Sequence, residues 1–341
     1  MNRKILKLWV HYRRNAPLVQ TLVVVVGIFA IFQNCGRTYS PKTPSPETTA
    51  PGGIPSVPGS STSSNVMSFP ISSGANDAPL FSPGHPFGLA LHTDGSLAIA
   101  AFQGPLVTCP VSSGACTPLV SSGRTPAGVS VAVPNPIGVT ILPDARVAYI
   151  DYDDRSLHVQ VRDPLKKELS WKVTPLGIIP YGIASNSSGS RIYITAERSE
   201  GMICSLVDAS TETSTGVRCQ PSKELTGFDV AVSAAGLVHV ANSTSLNICQ
   251  EDLSRCTVYS FPDGRTMAVG VAVGSSIFIS DYFNSRVLKC SLSRSGIACA
   301  DFVRDLNVPR TIRLDAKENL YVAEYGANQV SRFDPKGEPL N

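Results

Sequence analysis

His85-Pro86-Phe87-Gly88-Leu89-Ala90, Asn135-Pro136-Ile137-Gly138-Val139, Ile179-Pro180-Tyr181-Gly182-Ile183-Ala184, Gly227-Phe228-Asp229-Val230-Ala231, Ala268-Val269-Gly270-Val271-Ala272 and Val308-Pro309-Arg310-Thr311-Ile312 are variants of one phrase. Each contains Pro or Gly and leads into a short apolar run. A polar turn, a second run, a polar corner and a third run follow, with Thr93-Asp94-Gly95 as one such turn. Residues 66–341 make 276 positions, and dividing 276 by six units gives 46 each, the size of a four-stranded propeller blade, about 40–50 residues. Runs such as Ile192-Tyr193-Ile194 and Leu320-Tyr321-Val322 supply the β-branched and aromatic residues that strands favour. No long segment places apolar residues at helical spacing. The pattern predicts an all-β chain, a six-bladed β-propeller of four-stranded antiparallel blades. The last unit stops soon after its third run, residues 329–333, which by itself would leave an open sheet edge. The extended apolar segment Val66-Met67-Ser68-Phe69-Pro70-Ile71 is expected to fill it, closing the ring by pairing of N-terminal and C-terminal strands.

Ahead of this domain, residues 1–35 read as an export signal or anchor. Arg3, Lys4, Lys7, Arg13 and Arg14 precede a fifteen-residue run, LVQTLVVVVGIFAIF at 18–32, broken only by Gln20 and Thr21. As a helix of ~1.5 Å rise it spans about 22 Å, short of the ~30 Å hydrocarbon core. That length favours a processed signal over a permanent span, with an uncleaved anchor as the alternative. Residues 36–65 contain 22 Gly, Pro, Ser or Thr among 30 and hardly a bulky apolar side chain, the composition of a disordered tether. The three regions are therefore 1–35, 36–65 and 66–341.

Of the nine cysteines, Cys35 stands apart and eight fall into near neighbours: Cys109 and Cys116, Cys204 and Cys219, Cys249 and Cys256, Cys290 and Cys299. Each pair straddles a turn-rich segment between β-like runs, so hairpin disulfides are expected, although eight cysteines allow about 105 pairings. Such bridges require an oxidising compartment. Zinc is the rival reading, but no CxxC and no histidine at ligand spacing supports it. The formal charge of +3 comes from the start of the chain, since removing its five basic residues leaves 24 basic against 26 acidic. Nothing here matches a nucleic-acid backbone.

Three resemblances bear on function. Phe32-Gln33-Asn34-Cys35-Gly36 resembles the lipobox of bacterial lipoproteins, with Gln33 and Asn34 where that pattern has small residues; it implies lipidation at Cys35 and a membrane tether at the periplasm or cell surface. Ile277-Phe278-Ile279-Ser280-Asp281-Tyr282-Phe283-Asn284-Ser285-Arg286 resembles an NHL repeat through Asp281, Asn284 and Arg286, and the sixth unit follows loosely through Glu324, Asn328 and Gln329. The shape is also similar to gluconolactonase-type propellers, which hold a divalent metal on Asn and Asp at the strand-one entries.

Two columns of residues are candidate sites. The strand-one entries carry Phe87, Ile137, Tyr181, Phe228, Val269 and Arg310. They are mostly apolar, which suits a peptide or small organic anion with Arg310 as polar contact rather than a metal. The second-strand ends carry Ala101, Asp151, Glu197, Asn242, Asp281 and Glu324. Their oxygens would suit Ca²⁺, or else each acid serves its own turn or a nearby Arg, as Asp281 with Arg286. Apart from Ca²⁺ no cofactor is expected. His85, His92, His158 and His239 fall at unrelated places in their repeats, and no GxSxG, HExxH or phosphate-binding Gly motif occurs. The reading is a non-enzymatic binding or scaffold protein that engages a protein, peptide or small ligand at one face of the ring. Metal-dependent lactone or ester hydrolysis is the alternative.

Overall fold

The computed structural model describes residues 85–112, 114–120, 135–162, 169–207 and 216–340. All of them lie in the unit Ser64–Asn341. The signal, Cys35, the tether and the candidate closing segment 66–71 fall outside the described residues.

Six antiparallel sheets follow one another along the chain. Blade 1 comprises His85–Leu91, Ser96–Phe102, Leu106–Pro110 and Thr117–Val120; blade 2, Pro136–Ile141, Val147–Asp151, Ser156–Arg162 and Leu169–Pro175; blade 3, Ile183–Ser185, Arg191–Ile194, Gly201–Val207 and Gly216–Ser222. Blade 4 comprises Asp229–Val232, Val238–Asn242, Ser245–Cys249 and Cys256–Ser260; blade 5, Ala268–Val273, Ile277–Asp281, Arg286–Ser293 and Gly296–Val303. Blade 6 has three strands among the described residues, Pro309–Leu314, Leu320–Glu324 and Gln329–Phe333. In every sheet the strands pair in chain order, so each blade is a meander. The chain is a six-bladed β-propeller.

Strand two is the apolar run of each unit because it is covered on both faces: Ile277–Asp281 is buried throughout. Strand four is the outer edge, and Leu169–Pro175 is mostly exposed. In blades 1, 2 and 6 the turn between strands one and two is held by an Asp side chain. Asp94 accepts from the Ser96 amide at 2.8 Å, and Asp315 accepts from the Lys317 and Asn319 amides at 2.9 and 2.8 Å. The turn needs a left-handed residue, supplied by Gly95, Gly189 and Gly236, and by Ala145 and Glu318 in blades 2 and 6.

Six apolar layers fill the six spaces between blades. Ile137, Ile150 and Leu157 of blade 2 meet Ile183, Ile192 and Ile194 of blade 3. The layer that closes the ring puts Leu89, Leu97 and Ile99 of blade 1 against Tyr321, Ala323 and Val330 of blade 6. Near the axis the strands approach so closely that a side chain on Gly88 would place a Cβ 2.6 Å from the Ile137 carbonyl oxygen of the next blade. Four disulfides, Cys109–Cys116, Cys204–Cys219, Cys249–Cys256 and Cys290–Cys299, join the outer two strands of blades 1, 3, 4 and 5. The inward partners Cys109, Cys204, Cys249 and Cys290 are buried at the outer ends of the interblade layers. These bridges belong to an oxidising, extracytoplasmic setting. Among the described residues no helix is long and apolar enough to cross a membrane.

Candidate functional site: an aromatic mouth around Arg310

The pairing of strands one and two skips a residue at the entry of four blades: Phe87 between Pro86 and Gly88, Ile137 between Pro136 and Gly138, Val269 between Ala268 and Gly270, and Arg310 with Thr311 between Pro309 and Ile312. In blades 3 and 4 the same position, Tyr181 or Phe228, precedes the strand, its amide donating to Thr195 O at 2.9 Å or Ala241 O at 2.8 Å. A bulge re-aims the extra side chain out of the ladder. The entry column of the sequence is thus four bulged residues and two that precede their strands.

That column divides. Ile137 is 1% exposed inside the layer between blades 2 and 3, and Val269 is 4% exposed, so neither offers a ligand a surface. A β-branched side chain and a short one reach only as far as the neighbouring blade. Phe87, Tyr181 and Phe228 are longer and come together, with ring centroids 6.3 Å apart for Phe87 and Tyr181 and 5.7 Å for Tyr181 and Phe228.

A second set, not anticipated from the sequence, completes the mouth. Tyr152, Tyr282 and Tyr325 each directly follow the last residue of strand two, Asp151, Asp281 and Glu324, and Phe102, itself the last residue of strand two in blade 1, follows Ala101 in the same way. Phe102 packs on Phe87, Tyr152 and Tyr325 at 6.3, 5.7 and 6.3 Å, and His85 stacks on Tyr325 at 4.9 Å. The signal was present as an aromatic at that place in four units. It is visible only when the repeats are aligned by strand pairing rather than by their acids.

Arg310 sits among these rings. Its guanidinium carbon lies 4.8, 4.6 and 5.6 Å from the ring centres of Phe87, Tyr282 and Tyr325, distances at which the ring faces attract a cation. Its Nε is buried without a hydrogen-bond partner. Among the described residues no carboxylate forms an ion pair with it. Burial holds its guanidinium below the ordinary arginine value, with Tyr282, Tyr181, Tyr325 and Glu197 acting against that shift. Burial, and then the Glu197 carboxylate, push the Tyr181 phenol up.

The acidic column has a different geometry. Asp151, Asp281 and Glu324 do the same thing in three blades, each accepting the amide of the segment that enters strand one: Asn135 at 2.7 Å, Met267 at 3.0 Å and Asn307 at 2.7 Å. The remaining oxygens are engaged nearby. Asp151 Oδ1 takes the Asp153 and Asp154 amides at 2.9 and 3.1 Å. Asp281 Oδ2 takes Asn284 Nδ2 at 2.8 Å and Arg286 Nε at 2.9 Å. Glu324 Oε1 takes Gln329 Nε2 at 3.0 Å and the Ser331 hydroxyl. Gln329 therefore does in blade 6 what Arg286 does in blade 5. Blade 4 supplies Asn242, whose carbonyl accepts the Ser245 hydroxyl at 3.4 Å. Glu197 requires a correction: Ile183 pairs with Ile194, so by the count of the other blades the strand-two end is Ala196, and Glu197 stands with the aromatic set. There it is partly exposed and bonded to Arg198 at 3.2 Å. Asp151, Asp154 and His158 lie close enough to share an ion, but His158 is bonded to Asp154 at 3.2 Å and to Ser156 at 2.6 Å.

No family model matches the sequence, and no curated protein sequence matches it. Solved structures do. A streptogramin B lyase aligns with a TM-score of 0.54 at 14% identity, over 76% of this chain and 83% of its own. The selenomethionine form of virginiamycin B lyase from Staphylococcus aureus gives 0.53 at 15%, over 76% and 84%. An auxiliary nutrient binding protein from Bacteroides thetaiotaomicron VPI-5482 gives 0.51 at 12%, over 73% and 68%. The likeness is one of fold: a β-propeller. At these identities it carries no activity across.

Proposed function

We propose that this chain is an exported binding protein, tethered to a membrane by its N-terminal segment and Cys35, that engages a protein, peptide or small ligand at the aromatic mouth. The observation that carries the reading is a connected set of partly exposed rings, Phe87, Tyr181, Phe228, Phe102, Tyr152, Tyr282 and Tyr325, three of which (Phe87, Tyr282 and Tyr325) lie against the Arg310 guanidinium. Partly exposed rings gathered with one charged group among them are how small-ligand and peptide sites are built. Phe283, 56% exposed and packed on Tyr282 at 5.3 Å, extends the apolar surface there. Hydrolysis at a metal is the less favoured reading, because Asp151, Asp281 and Glu324 already use their oxygens to hold the blade entries. The test is a thermal-shift screen of the full-length protein against peptide and small-molecule panels. Ligands that stabilise it should lose their effect in the Tyr181→Ala, Phe228→Ala double variant and keep it in Val258→Ala, a change at a 60% exposed site on the outer strand of blade 4. Shifts that persist in the double variant would place binding elsewhere, and chelator-sensitive turnover of a lactone would reverse the order of the two readings.

A further inference from the structure

Arg310 narrows the ligand to a chemical class, an inference that rests on the mouth being the binding face. A guanidinium is a flat cation with donors only around its edge, five N–H groups and no acceptor. Here its neighbours are ring centres 4.6, 4.8 and 5.6 Å away. Rings satisfy the charge in part but cannot accept the edge N–H groups as a lone pair would. Nε is buried and has no partner, and a buried donor left unmet, above all a charged one, is destabilising. Other cations of the domain show what the protein does when it means an arginine to be structural. Arg286 is met by Asp281, Asp301 and Asp263 at 2.9, 2.8 and 3.1 Å. Arg313 is met by Asp229 at 2.8 and 3.1 Å. Against these two, Arg310 has three rings about its guanidinium and no partner at Nε; Arg332 shares the unpartnered Nε but meets one ring, Tyr321 at 5.6 Å.

We propose that the mouth binds a monoanionic carboxylate carried on an aromatic or apolar body, with the carboxylate on the edge of Arg310 and the body against Phe87, Tyr181 and Phe228. A carboxylate is planar and matches the guanidinium fork with two parallel hydrogen bonds. It can lie between ring walls where a tetrahedral phosphate would have to displace them. Charge points the same way: the mouth holds one guanidinium, and the Glu197 carboxylate lies near enough to act on both Arg310 and Tyr181, so a dianion would be poorly balanced there. The same chemistry is found at a free organic acid and at a peptide C-terminus.

Titration calorimetry on the full-length protein in detergent separates these. The probes are 4-hydroxyphenylacetate and its neutral amide, and the tripeptide Gly-Gly-Phe with its C-terminus free or amidated. The acid form of at least one pair should bind about tenfold or more tightly than its amide, the worth of one charge-assisted hydrogen bond. Preference in the first pair alone identifies a small acid, and preference in the tripeptide pair a chain terminus. Arg310→Met should abolish the difference while apolar contact persists, and Arg310→Lys should restore only part of it. The wild-type acid–amide comparison stands even if a variant folds poorly. Equal binding of acid and amide overturns the carboxylate while leaving the mouth as a binding face, and no binding of any probe up to millimolar concentration overturns the proposal outright.

Discussion

His239 lies on strand two of blade 4, buried, with its Nδ1–H donating to the Leu237 carbonyl at 3.1 Å. Burial holds its imidazole below the ordinary value, and the Leu237 bond opposes that shift only in part. His92 is held low by the same cause, against the pull of Asp94. The sign follows. As the pH falls through about 6.5 the unfolded chain takes up protons that the folded chain refuses, so stability is full above that pH and declines below it. The carboxylates whose values are lowered in the folded state, Asp94, Asp263 and Asp334 among them, contribute their own loss only under more acid conditions. Between pH 7.5 and 5.5 the histidines should dominate. Melting temperature measured across that window should fall with pH in the wild type and fall less in His239→Gln; an unchanged slope would refute the assignment. Neither the burial of His239 nor the loneliness of Arg310 was legible in the sequence. Both depend on which strand face meets the next blade, which a repeat read by itself does not fix.

Among the elements, the inner strands carry the most specific contacts. Strand one of blade 4 begins with Asp229, where blades 1, 2, 3 and 5 have Gly88, Gly138, Gly182 and Gly270. The Asp229 carboxylate receives the Val271 amide of blade 5 at 3.2 Å and both guanidinium nitrogens of Arg313 of blade 6 at 2.8 and 3.1 Å. Arg313 in turn reaches the Val271 carbonyl at 3.3 Å. Three consecutive blades are thereby fastened at the hub. Asp229→Asn keeps the shape and removes the charge that compensates Arg313. Breaking a buried pair from one side costs about 3–5 kcal/mol, and an urea unfolding midpoint shifted to match is the expected result. A shift under about 1 kcal/mol would mean the pair is a solvated one. The entry phrases were readable as repeats because each must make the same turn onto the axis. The exception, an Asp in the Gly position, was readable as a departure, but its partner 84 residues away was not.

For the whole molecule, closure of the ring turns on blade 6. Gln329–Phe333 has no fourth strand among the described residues. A groove of about 570 Å³ lined by Phe302, Leu306, Ser331, Phe333 and Leu340 runs along it. Residues 66–71 are expected to occupy that edge. In hydrogen exchange on the full chain, backbone amides of strand three in blade 6 should be as slow as those of strand three in blade 5, and deletion of 66–71 should speed them and lower the melting temperature. Equally slow exchange after deletion would show that the interblade layer of Leu89 and Tyr321 suffices. By itself the sequence determined the all-β class and the number of blades, and it made the near-neighbour cysteine pairs the expected ones, which the structure joins. Those depend on local alternation, turn chemistry and short loops, all of which are encoded within one unit. Tertiary structure decided what the units do together: it sent Ile137 and Val269 into the core, moved Glu197 one place out of the acidic column, set Phe87, Tyr282 and Tyr325 against Arg310, and packed Phe102 between Tyr152 and Tyr325. Side chains from blades far apart in the chain meet only because the ring closes, and pattern within a repeat carries no information about what lies across the axis.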